Sequence, residues 1–110
     1  MSNPSKMPQS IEAEQSLLGS ILLEPENLVL VVDQIHADMF YLERHRIIWR
    51  AMLALYEKGI SADPFALSEE LQARGELLGA GGRKYLNDLV VTAGALGSLD
   101  YCIQVCFNPS

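Results

Sequence analysis

The sequence predicts an all-α domain, a compact orthogonal bundle of about six short helices. Three observations carry that expectation. Apolar residues recur at spacings of three and four instead of alternating. Successive apolar runs are opened by a capping side chain or a proline and closed by a glycine. Leu28 to Val32, the stretch that most resembles a strand, has no hairpin partner nearby. A chain of 110 residues with 49% apolar and 20% charged residues fits one domain, able to bury about two-thirds of its unfolded surface without staples.

The elements follow in order. Ser10 is an N-cap for a first helix to about Leu23, where Glu12 and Glu14 suit the positive end of the helix dipole and Ile11, Leu18, Ile21 and Leu22 share a face. Glu24-Pro25 ends it and opens a second helix to about Ile35, on which Leu28, Val32 and Ile35 keep helical spacing. Asp38 then caps a short turn that carries Met39, Phe40 and Tyr41 inward. The clearest helix spans about Glu43 to Lys58, with a stripe of Ile47, Ile48, Ala51, Met52 and Leu55, solvated positions at Glu43, Arg44, Arg46 and Arg50, and Gly59 as its stop.

Asp63-Pro64 starts the next helix, supported by Ala66, Leu67, Leu71 and Ala73 and ending at Gly75. Residues 75–82 contain four glycines around Leu77-Leu78 and read as a connector tucked against the core. A further helix from Gly82 to about Val91 buries Tyr85 or Leu86, Leu89 and Val90. Residues 92–97 are small and read as flexible, and Ser98 caps a last helix through Tyr101, Ile103 and Val105. Residues 1–9 are expected as a flexible tail, 10–106 as the domain, and 107–110 as a disordered or non-native tail.

Several functional classes are excluded. A formal charge of -6 argues against a dedicated nucleic-acid binder, whose affinity comes largely from cations neutralising phosphates, and suits a protein partner instead. No apolar run approaches the ~20 residues of a membrane helix, and nothing near the N-terminus resembles a secretory signal, so the cytoplasm is the expected compartment. Cys102 and Cys106 read as free, packed thiols. Gly79-Ala80-Gly81-Gly82-Arg83-Lys84 looks like a phosphate loop but lacks the Walker spacing and the Ser or Thr after its lysine. It reads as a glycine turn that caps the next helix.

His36 and His45 belong to no metal or triad pattern, and His45 reads as a structural or surface residue. Glu12 with Glu14, and Glu69 with Glu70, fit helix starts and solvated faces better than acid–base pairs. The sequence offers no catalytic residues, no metal site and no cofactor site. Arg44, Arg46 and Arg50 form a modest basic cluster, in which positions 46 and 50 are one turn apart and could grip one phosphate or carboxylate. The simpler reading is a solvated helix face. Trp49 and Tyr56 read as core or rim.

Taken together, Pro8 to Gln15, Leu18-Gly19, Phe40-Tyr41, His45, Ala51-Met52, Gly59, Glu70-Leu71, Gly81-Gly82, Tyr85-Leu86 and Leu89 resemble, in order and spacing, the N-terminal domain of the DnaB-type bacterial replicative DNA helicase. The resemblance covers Pro8 to about Val105. It implies a scaffold that organises the subunits of a hexameric ring and recruits primase through that protein's helicase-binding domain, with a helicase loader as a further partner and DNA met only indirectly through the full ring. It places ATP, Mg and the helicase reaction in a separate C-terminal domain, leaving this chain inactive as an enzyme.

Glu12 and Tyr85 match family positions associated with the primase-facing surface. Beside that role stand a helix-dipole glutamate and a core tyrosine. Pro64 replaces an apolar residue common in the family and should only sharpen the helix start. The family continues past Tyr101 into a long helical hairpin, whereas this sequence ends at Ser110, so a monomer or weak dimer is expected. Two other readings stand beside the scaffold. One is a free-standing helical adaptor or decoy competing for primase or loader. The other is a single-stranded DNA-binding module built on Arg44, Arg46 and Arg50, whose binding would collapse with salt.

Overall fold

The computed structural model describes the backbone of residues 11–96 and the side chains of residues 11–93. Over that range the chain is all-helical: α1 (Ile11–Leu23), α2 (Asn27–Val31), a 3-10 turn (Ala37–Met39), α3 (Glu43–Lys58), α4 (Pro64–Ala73) and α5 (Gly82–Leu96). Five α-helices stand where about six were expected. The sixth, with its Ser98 cap, falls outside the described residues, as do the Ser10 cap, both cysteines and both tails. Among the described residues no helix is long and apolar enough to cross a membrane.

The core lies where α1, α3 and α5 meet. Leu17, Leu18 and Ile21 of α1, Ile48, Trp49 and Met52 of α3, and Leu86 and Leu89 of α5 are all buried, with Leu67 and Leu71 closing the α4 side. α1 and α5 pack closest, and the reason is Gly19. A Cβ placed there would lie 2.0 Å from the Leu89 carbonyl oxygen and 2.8 Å from the Ala93 Cβ. Small residues at this seam allow the backbones to approach. This corrects the reading of residues 92–97: α5 continues through 92–96, and the small residue Ala93 serves packing there, not flexibility.

Punctuation worked as expected at both ends of α3–α4. Gly59 adopts φ 75° and ψ 24°, and the Ile60 N–H reaches back to the Leu55 carbonyl at 2.9 Å. Gly75 at φ 73° repeats the device, with Glu76 N–H on the Leu71 carbonyl at 2.8 Å. Asp63 Oδ1 accepts from the Ala66 N–H at 2.7 Å with Pro64 in the first turn. Elsewhere the pattern needs amendment. α2 is shorter than the span to Ile35, because its flanks close as turns through i to i+3 bonds such as Gln34 N–H to Val31 carbonyl.

Of the three residues expected to turn inward after Asp38, only Phe40 does, packing on Trp49 at 5.6 Å between ring centroids. Met39 and Tyr41 are exposed. So are Ala73, beyond the last buried turn of α4, and Leu78, at 90% exposure. In that connector Leu77 and Ala80 make the inward contacts. Tyr85 and Leu86 divide the α5 position between them, Leu86 fully buried and Tyr85 half-buried.

Candidate functional site

One polar joint ties the three main helices together. Glu14 from α1, His45 from α3 and Tyr85 from α5 form a chain of hydrogen bonds, with His45 Nδ1 2.7 Å from Glu14 Oε1 and His45 Nε2 2.6 Å from the Tyr85 hydroxyl. Gln15 Nε2 donates to the same hydroxyl at 3.2 Å, and the Tyr41 backbone N–H donates to Glu14 Oε2 at 2.7 Å. A single direction satisfies every group: Gln15 donates to Tyr85, Tyr85 to His45 Nε2, and His45 Nδ1–H to Glu14. The chain ends on a carboxylate already held by a backbone donor.

Both Glu14 and His45 are buried. A carboxylate and an imidazole without water are tolerable only when paired and bonded, and here each is. The order hydroxyl, imidazole, carboxylate matches the logic of a nucleophile triad. In this chain, however, the Tyr85 hydroxyl is turned inward to His45 and Gln15, so the arrangement fixes helix positions and the orientation of one tyrosine.

The outer part of that tyrosine is dressed by Arg44, whose guanidinium carbon lies 4.9 Å from the ring centroid, a cation–π contact. The inner side stacks on His45, with centroids 5.9 Å apart and planes 21° from parallel. Gly81 makes the approach possible. It sits at φ 102°, and a Cβ there would come within 2.7 Å of the Tyr85 Cβ. Glu12 is exposed on the first turn of α1, one turn before Gln15. Arg44 and Tyr85 thus border the joint from α3 and α5.

The basic cluster divides. Arg44 goes to Tyr85, whereas Arg46 and Arg50 both turn to Glu43, at 3.4 and 4.0 Å. The carboxylate that positions 46 and 50 grip is one from their own helix. Arg46 Nε also donates to the Phe40 carbonyl at 2.8 Å, pinning the entry to α3. At the glycine turn Arg83 donates to Gln72 Oε1 of α4 at 2.7 Å and Lys84 pairs with Asp88 one turn along α5 at 3.5 Å. No group of three or more metal-ligating side chains occurs among the described residues.

Sequence reasoning assigned Glu14 to the helix dipole and missed its partner. The signal was present: Glu14 precedes Leu17, Leu18 and Ile21 by three, four and seven residues, and His45 precedes Ile48, Trp49 and Met52 likewise, so each polar residue lies on a core-facing stripe. That placement says each is buried and needs a polar partner, without saying which.

The comparison with known proteins decides the family. Residues 6–106 match the family described as DnaB-like helicase N terminal domain. This chain belongs to that family. Among its relatives, "Replicative DNA helicase DnaB" of Rhodothermus marinus is 35% identical over 98 residues, 89% of this chain and 10% of the relative. The Synechocystis DnaB is 39% identical over 88 residues, 80% of this chain and 10% of the relative. "Replicative DNA helicase DnaC" of Bacillus subtilis is 35% identical over 98 residues, 89% and 22% of the two chains.

The chain thus spans between a tenth and about a fifth of the length of these relatives. The crystal structure of the N-terminal domain of DnaB helicase from Mycobacterium tuberculosis superposes with a TM-score of 0.81 at 34% identity, covering 92% of this chain and 71% of that one.

Proposed function

We propose that this chain is the assembly and recruitment module of a replicative DNA helicase: it organises helicase subunits and offers the helicase-binding domain of primase a surface formed by Glu12, Arg44 and Tyr85. ATP and magnesium chemistry, and movement on DNA, belong in this reading to a separate part of the protein. The observation that carries it is the family match over residues 6–106, to relatives named as replicative helicases. The geometry supports it. The titratable groups best placed for chemistry are consumed inside the fold, while Tyr85 is held rigidly at the rim, which lowers the ordering cost of a contact made there. A large amphipathic ring capped by an arginine is the kind of group that anchors a protein partner.

The test is calorimetric titration with the cognate primase's helicase-binding domain. Glu12→Gln, at an exposed site, and Arg44→Met should each weaken binding about three- to thirtyfold with unchanged thermal melts. Tyr85→Ala is a poorer probe alone, because it also strips His45 of a partner. Tyr85→Phe retains the ring and separates the two effects. Binding indifferent to Glu12 and Arg44 would refute the assignment of this surface.

A further inference from the structure

The outward face of α2 carries an arrangement used by neither the core nor the Tyr85 surface. Leu28 and Val31 point into the core, while Val29 and Leu30 are 57% and 62% exposed. Helical hydrogen bonding reaches both flanks, with Val29 N–H on the Glu26 carbonyl at 3.1 Å and Val32 N–H on the Leu28 carbonyl at 2.9 Å. Glu26, Val29, Leu30 and Asp33 therefore follow one another at i, i+3, i+4 and i+7 along one stripe, and all four are exposed. With a helical rise carried through the flanking turns, the two carboxylates would lie about 10 Å apart, one at each end of the apolar pair. Leu23, also exposed, lies three residues before Glu26.

Charge identifies what would cover this face. No lysine or arginine occurs between Lys6 and Arg44, the stretch of chain that builds α1, α2 and the 3-10 turn. In α4, α5 and the connector between them, Glu69, Glu70, Glu76 and Asp88 each have a cation within 4.0 Å. Glu24, Glu26 and Asp33 have no ion-pair partner among the described residues.

We infer that the Glu26–Asp33 stripe docks a basic amphipathic helix from a partner protein, with lysines or arginines seven residues apart on either side of an apolar pair. A helix laid alongside matches the stripe, because its own i and i+7 positions are separated by the same ~10 Å. A second copy meeting this face with its own would oppose like charges, so a two-fold self-contact does not fit.

The probe is a synthetic helical peptide carrying two lysines seven positions apart around a leucine pair, titrated into the 110-residue chain and followed by amide chemical shifts. Saturable binding below about 1 mM, with perturbations centred on amides 26–34, is expected. The double variant Val29→Gln, Leu30→Gln changes only exposed side chains and should weaken it at least about tenfold, with thermal melts confirming the fold. Glu26→Gln with Asp33→Asn should weaken it about three- to tenfold and remove most of its salt dependence. Perturbations centred elsewhere, no saturation by ~1 mM, or equal binding by a peptide with serines in place of the leucines would overturn the inference.

Discussion

His45 shows how much one side chain can carry. Fully buried, it holds α1 through Glu14 and α5 through Tyr85, so removing it leaves the buried Glu14 carboxylate with the Tyr41 N–H alone. His45→Ala should cost about 2 to 5 kcal/mol, from the cavity and from the buried groups left without a bond. Tyr85→Phe removes only the hydroxyl and leaves His45 Nε2 and Gln15 without it, a cost of about 1 to 3 kcal/mol. Urea titration of both variants measures this, and a His45→Ala loss under about 1 kcal/mol would show that the joint is not bearing on stability. The absence of any triad or metal pattern marked the histidine as structural or surface, without deciding between the two. Its partners were not, because a hydrogen bond between residues 14 and 45 depends on how two helices cross, which periodicity along either helix does not encode.

At the scale of elements, close packing and capping set the energetics. Gly19→Ala places a methyl inside van der Waals distance of the Leu89 backbone, where a carbonyl cannot rotate away as a side chain would. The expected loss is about 1 to 3 kcal/mol or more, against the modest gain alanine usually gives within a helix. Leu55→Ala, in the buried stripe of α3, should cost about 2 to 5 kcal/mol by equilibrium unfolding.

Between α3 and α4 the link is ionic. The Lys58 ammonium, bonded at 2.7 Å, and Arg74 hold the Glu70 carboxyl below its ordinary value of 4.5. A carboxyl depressed in the folded state adds stability that is present above its unfolded pKa and is lost as pH falls through the folded one. Glu70→Gln should therefore reduce stability near pH 7 by about 1 kcal/mol or less and converge with the parent chain below about pH 3, read from melts across pH.

Caps and stops at Gly59, Asp63 and Gly75 were readable because each is a local event within five residues. The fate of Leu78, Met39 and Tyr41 was not. An apolar residue in a connector is turned in or out by the elements it joins, and the same composition at 92–97 that suggests flexibility also suits a helix seam.

For the molecule as a whole, the division of labour follows from where polarity is spent. His45, the buried Glu14 and the Tyr85 hydroxyl are used up inside, and the outer features differ by region: Arg44 over the Tyr85 ring, and an apolar pair on α2 flanked by two acids with no ion-pair partner among the described residues. In the proposed reading the domain acts through those surfaces. Its family was legible from the order of short words spread over Pro8 to Leu89, since their spacing reflects one set of helix lengths and turns.

The central claim is best tested by titrating the isotope-labelled chain with the unlabelled helicase-binding domain of the cognate primase and mapping the amide shifts. Perturbations gathered around Glu12, Arg44 and Tyr85, with the α2 amides unmoved, are the predicted result. Saturable binding that maps away from those residues, or none at concentrations where full-length helicase binds, would contradict the account.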